Sequence, residues 1–166
     1  VGKCQDIIQK LVAPKRIMLN DVPRGHRIGN HTFNHIRGFE YSADDYLTNT
    51  DRANQEMKTD LFRPPHGHMG FRQYHTLKQH YKIIMWDLVT RDYSKKLRPE
   101  QVLANVKRYV RNGSIITFHD SLKSWNNGNL QYALPRSIEY LQEQGYEFKV
   151  LPTQEVYQAA PTLCRE

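Results

Sequence analysis

Residues Gly113 to Asp120 read GSIITFHD, a turn glycine followed by an apolar run of β-branched and aromatic residues that ends on a histidine and an aspartate. A short apolar run bounded by turn residues is the pattern of a buried strand, here 114–118, and it delivers His119 and Asp120 at the strand's carboxyl end. Comparable runs predict strands at HRIG (26–29), LFR (61–63), KIIMWDL (82–88) and YEFKVL (146–151). Apolar residues at helical spacing predict helices over Asp6 to Val12, Tyr46 to Met57 behind a Ser42 cap, Tyr74 to His80, Pro99 to Val110 and Pro135 to Gln144. Strand and helix therefore alternate, and right-handed crossovers turn that order into a parallel sheet or barrel, an α/β fold. Chemistry in such folds gathers on the loops that follow the strands. Those loops carry His31 and His35, then Arg63 to Gly67, then Asp87 and Asp92, then His119 and Asp120.

The chain has 166 residues, enough for one domain with a sizeable core, and one domain over 1–166 is the expectation. Hydrophobic residues make up 39% and charged residues 25%, with no low-complexity tract and no repeat, which excludes a disordered chain or a repeat array. No apolar run reaches the roughly 18 residues of a membrane span, and VGKCQDIIQK has neither the apolar core nor the cleavage site of a signal peptide. Lysine and arginine outnumber aspartate and glutamate 24 to 17, a formal charge of +7 that suits an anionic partner. The positive residues are scattered, however, and no nucleic-acid recognition motif accompanies them, so a solvated surface is the plainer reading. Cys4 and Cys164 lie at opposite ends without metal-ligand spacing, leaving a disulfide or two thiols as alternatives.

Three stretches carry chemistry. In HTFNH, His31 and His35 are four residues apart, which on a helical turn puts two imidazoles on one face about 6 Å apart, within reach of one ion. Eight histidines in one chain also produce that spacing by chance. In FRPPHG (62–67) two prolines and a glycine make a stiff loop, able to hold the Arg63 guanidinium against a carboxylate and aim a backbone N–H at an oxyanion. The plainer alternative is a strand end with Arg63 in a surface ion pair. In IITFHD, His119 stands where an imidazole can serve as general acid or base, with Asp92, Asp87 and Asp120 as candidate carboxylates to orient it.

Taken together and in order, these stretches resemble the polysaccharide deacetylases, the NodB-homology domains of carbohydrate esterase family 4. GHRIGNHTFNH (25–35) resembles the family's second motif, FRPPHG its arginine loop, DLVTRDY (87–93) its fourth motif and GSIITFHD its last. The resemblance runs from about Val1 to Leu151. It implies a distorted (β/α) barrel and a metal-assisted removal of N- or O-acetyl groups from a polysaccharide or oligosaccharide such as peptidoglycan or a chitin-like glycan. It further implies that His31 and His35 hold a divalent metal, Zn2+ with Co2+ or Ni2+ as alternatives. Arg63 would orient the family's catalytic aspartate, the backbone at His66 would help hold the oxyanion, His119 would protonate the leaving group, and Asp92 would pair with His119. The partner implied is an acetylated glycan, with no nucleic acid, and the setting implied is extracytoplasmic or at the cell envelope.

The sequence also departs from the family. The T-F-D-D run that supplies the third metal ligand and the general base does not occur in it, and five strands are predicted where the family's barrel has seven. The first two β/α units are therefore expected to be missing from this sequence, a reading supported by the edge their deletion would expose. A catalytically inactive, carbohydrate-binding pseudoenzyme is the alternative. His66 stands for the usual tyrosine, Tyr93 for a tryptophan, and Thr117 for a leucine. The stretch PKRIMLNDVPR (14–24) lengthens the link before GHRIG.

Overall fold

A computed structural model of the chain describes residues 3–4 and 26–151. The predicted helix at Asp6 to Val12, the 14–24 insertion and Cys164 lie outside the described residues. The described residues pack as two compact units, the first with 3–4, 26–28 and 85–150 and the second with 29–84 and 151.

The first unit is built on a parallel sheet in the order β1–β5–β4, with β1 at Lys3–Cys4, β4 at Leu88–Val89 and β5 at Ile115–Thr117. Lys3 pairs with Ile115 and Leu88 with Ile116, so β5 is the central strand, as its unbroken β-branched run requires. Helices α3 (Pro99–Tyr109), α4 (Leu122–Asn126) and α5 (Asn129–Glu143) complete the unit. Pro99 opens α3 at a position where its missing N–H costs nothing, and Val102 and Val106 fall one turn apart on the buried face. They join Leu88, Ile116, Phe118, Leu130, Ala133 and Leu141 in one apolar cluster.

The second unit holds α1 (Ala43–Met57), α2 (Phe71–Leu77) and a parallel two-stranded ladder, β2 (Leu61–Phe62) with β3 (Lys82–Ile83). Ser42 caps α1 as predicted: its hydroxyl accepts the Asp45 N–H at 3.1 Å and donates to the Asp45 carboxylate at 2.7 Å. Tyr46, Phe62, Leu77 and Tyr81 form this unit's core.

Several predicted elements differ from those observed, each for a local reason. The HRIG run is not a strand; pairing is confined to a single bridge between Asn30 and Phe62. KIIMWDL divides into β3 and β4, which belong to different sheets: Ile84 N–H still bonds to Phe62 O, whereas Asp87 bonds to β5, its N–H to Ile115 O at 3.3 Å and its carboxylate accepting the Ile115 N–H at 2.6 Å and the Ser114 hydroxyl at 2.8 Å. YEFKVL forms no strand: Phe148 and Val150 are exposed, and the alternation of sign in Glu147 and Lys149 ends in a local ion pair at 3.0 Å. Helix α2 starts at Phe71 rather than Tyr74, because Gln73 reaches back to the Gly70 N–H at 2.8 Å and closes the first turn. Helix α5 starts at Asn129, with Pro135 inside it rather than at its start; the buried spacing Leu130, Ala133, Ser137, Leu141 carries the helix through the proline. Helix α4 was not predicted.

Candidate functional site

In the second unit, His31 to His35 is not helical, contrary to expectation. Thr32 (φ 61°) and His35 (φ 55°) both lie in the left-handed region, a strained choice for a β-branched threonine. A dense polar frame holds it. Asn30, fully buried, donates its amide to Thr50 O at 2.9 Å and accepts the Thr32 N–H at 3.0 Å. The Asn49 side chain takes the N–H groups of Phe33 and Asn34, and the Thr32 hydroxyl takes that of Ile36. The loop brings the His31 and His35 rings to 4.9 Å between centroids, so the two imidazoles meet as predicted by a different backbone path.

Arg63 lies at the end of β2 and is 4% exposed, not in a surface ion pair. Its N–H donates to Asn30 O at 2.9 Å and its Nε to Ile84 O at 3.2 Å, while its own carbonyl accepts from His31 Nδ1 at 2.6 Å. A carbonyl can only accept, so Nδ1 of His31 carries hydrogen, and in the neutral ring the lone pair sits on Nε2. That is the tautomer a metal ligand needs, fixed by a backbone carbonyl as a neighbouring group commonly fixes a ligating histidine. The FRPPHG loop is stiff as expected: Pro65–Gly67 forms a 3-10 turn with Gly67 N–H on Pro64 O and His68 N–H on Pro65 O, both at 3.0 Å. His66 (φ 57°) stands at its centre, its ring 4.8 Å from that of His35. Among the described residues no group of three or more His, Cys, Asp or Glu is arranged to hold a metal ion. The donor chemistry of His31 fits a divalent metal; with His35 it makes two nitrogens, fewer than the four ligand positions zinc fills.

In the first unit, Asp92 follows β4 and is fully buried. Both its oxygens serve His119: Oδ1 accepts from Nδ1 at 2.8 Å and Oδ2 accepts the His119 backbone N–H at 2.7 Å. The imidazole is thereby fixed in position and in proton placement, with Tyr93 packed edge-on at 4.7 Å. Of the three carboxylates considered at the sequence level, Asp92 is the one bound to His119; Asp87 is spent on Ser114, Ile115 and an ion pair with Arg111 at 3.4 Å. Three positioning residues escaped the sequence reading. Asn127 and Asn129 donate to Asp92 O at 3.1 and 2.9 Å, and Thr90 donates to Thr117 O at 2.9 Å beside the Asp92 carboxylate. The NNGN run at 126–129 was the available signal, since buried asparagines at a helix start rarely lack a loop to hold.

The class these features define is an α/β chain with a carboxylate–imidazole pair after β4 and β5 in one unit and a fixed imidazole pair beside β2 in the other. Comparison with known proteins shows what the chain resembles. No family model matches the chain. It is 29% identical over 133 residues to a peptidoglycan-N-acetylglucosamine deacetylase of Bacillus cereus, covering 75% of this chain and 61% of that protein. The crystal structure of the Bc1960 peptidoglycan N-acetylglucosamine deacetylase, in complex with an N-oxidanyl-benzamide, superposes with a TM-score of 0.70 at 25% identity, covering 77% of this chain and 62% of that one. BA3943 of Bacillus anthracis, a pseudoenzyme of the same family, is 26% identical with a TM-score of 0.63, covering 76% and 45%; a mutant of BA3943 with restored enzymatic activity matches comparably. The chain spans between 49% and 61% of the length of the curated relatives it matches. In sequence and in fold the chain is similar to the polysaccharide deacetylases, the NodB-type domains of carbohydrate esterase family 4.

Proposed function

We propose that the chain belongs to a metal-dependent hydrolase that removes acetyl groups from an acetylated glycan such as peptidoglycan, with its strands and helices as part of a distorted (β/α) barrel. The observation that carries the reading is the His119–Asp92 pair: a buried carboxylate that commits both oxygens to one histidine makes an oriented proton donor. In this reading His31 and His35 hold the ion, with His31 presenting Nε2 because Arg63 O holds its Nδ1–H. A bound Zn2+, or Co2+ or Ni2+ in its place, would polarise the acetyl carbonyl and acidify the attacking water. Arg63, stiffened by its backbone bonds, would orient a catalytic carboxylate, and the His66 N–H would hold the oxyanion. His119 would give its proton to the leaving amine or alcohol while Asp92 keeps the ring in register.

A second reading, a glycan-binding pseudoenzyme, is supported by the match to BA3943. Acetate release from acetylated oligosaccharides by the zinc-loaded full-length protein separates the two. Release that is abolished in His119→Ala supports the hydrolase; glycan binding without release supports the pseudoenzyme, and release unchanged in His119→Ala overturns the proton-donor role of His119.

A further inference from the structure

The imidazole pair is the start of a longer row. Ring centroids lie 4.9 Å apart for His31 and His35, 4.8 Å for His35 and His66, 6.2 Å for His66 and His68, and 5.3 Å for His68 and Phe39, all within the second unit. His35, His66, His68 and Phe39 are all exposed, Phe39 to 70%.

An exposed phenylalanine by itself means little. This one sits on a turn, Gly38–Glu40, that a single buried glutamine clamps to the histidine loop. Gln73 Nε2 donates to Gly38 O at 2.8 Å and to Tyr41 O at 3.2 Å, its Oε1 accepts the Gly70 N–H at 2.8 Å, and Gly38 N–H reaches His68 O at 3.2 Å. A Cβ at Gly38 would lie 2.5 Å from Gln73 Oε1 and 2.6 Å from His68 O, so glycine is what lets the turn sit so close. The fold thus spends a buried polar side chain and a close backbone contact on fixing an exposed ring beside His68, the arrangement of a preorganised contact surface. Arg37 and Glu40, ion-paired at 3.1 Å, flank the ring with donors and acceptors.

We propose that Phe39, His68 and His66 form a sugar-stacking subsite, which seats a residue of the glycan chain next to the one whose acetyl group is presented to His31 and His35. A saccharide ring offers a C–H face to an aromatic ring and hydroxyls at its rim, and the row supplies one apolar ring, imidazoles able to donate and accept, and a charged pair. A protein partner would call for a contiguous apolar patch of several hundred Å2 rather than one ring set among polar groups. The proposal rests on the deacetylase reading for its substrate class.

The test is titration of the chain, zinc-free and zinc-loaded, with the tetramer of N-acetylglucosamine, by calorimetry and saturation-transfer NMR. Phe39→Ala should weaken binding roughly tenfold, Phe39→Trp should preserve it, and Tyr109→Ala, which removes an exposed ring from the other unit, should leave it unchanged. Tetramer binding equal in wild type and Phe39→Ala overturns the subsite, as does a wild type that binds no tetramer, or self-association that Phe39→Ala abolishes. Acetate release is read separately: a protein that binds tetramer through Phe39 but releases no acetate keeps the subsite and loses the hydrolase reading. One that releases acetate with Phe39→Ala indistinguishable in KM keeps the hydrolase and loses the subsite.

Discussion

Replacing Asp92 with asparagine probes the His119 pair with almost no change of shape. The carboxylate accepts two N–H groups, from the ring at 2.8 Å and the backbone at 2.7 Å, whereas an amide has one oxygen to offer. The backbone N–H has no alternative form, so the oxygen stays with it and the new NH2 group faces Nδ1. The ring can then satisfy that NH2 only by moving its hydrogen to Nε2. Two charge-assisted bonds, each worth about 1.5–3 kcal/mol, become neutral ones worth about 1 kcal/mol each, and relief of the buried charge offsets part of that loss, so stability should fall by about 1–2 kcal/mol. Acetate release should fall by roughly 10²–10⁴-fold, the usual worth of a positioned proton donor. Long-range proton–nitrogen NMR correlations of Asp92→Asn report the tautomer directly, and urea unfolding reports the stability. A ring that keeps hydrogen on Nδ1, in a variant as stable and as active as wild type, would refute the reasoning.

Two further substitutions test the scaffold of the second unit. Gly38→Ala places a methyl group against Gln73 Oε1 and His68 O, with Met69 Cα a further 2.8 Å contact, and should cost about 1–3 kcal/mol in urea unfolding, as overpacking against backbone does; a loss near zero would mean that the turn is free to move. Tyr46→Phe removes a fully buried hydroxyl that has no hydrogen-bond partner among the described residues, so stability at neutral pH should hold or rise by up to about 1 kcal/mol. Burial holds the Tyr46 phenol above its ordinary value of 10.0, which makes the folded state the better proton binder. Its contribution is whole below that value and is lost as pH rises past it, so Tyr46→Phe should be less sensitive to alkali in the same assay.

The central strand and the capped helices were legible because their signals are local: the β-branched run of β5, Ser42 before α1 and Pro99 at the head of α3 each act within one turn or one ladder. The errors came where a side chain replaces a backbone partner. Asp87 ties the second half of KIIMWDL to β5, its carboxylate taking the Ile115 N–H that a backbone carbonyl would otherwise accept, and nothing in the apolar pattern announces this. Pro135 looked like a helix start because proline favours that position, yet the buried spacing of α5 begins upstream of it.

The site shows the same division. His31 and His35 were found from their spacing and their resemblance to a motif, although the helical geometry behind that spacing is absent and two left-handed residues bring the rings together instead. The choice of Asp92 over Asp87 and Asp120 as the His119 partner followed from the family motif and not from spacing, since all three sit near strand ends. Asn127, Asn129 and Gln73 stayed hidden because a buried amide reads as loop polarity until its carbonyl partners are known.

The claim on which the account turns is that His31 and His35 are metal ligands, with the His31 proton held by Arg63 O. Zinc titration of the chain, followed by nitrogen NMR of the imidazoles, tests it without recourse to activity. The account predicts that the His31 and His35 signals move together, that His31 keeps its hydrogen on Nδ1 while Nε2 takes the coordination shift, and that His75 and His80 stay still. Zinc that leaves His31 and His35 unmoved, or that displaces the hydrogen from Nδ1 of His31, would contradict it.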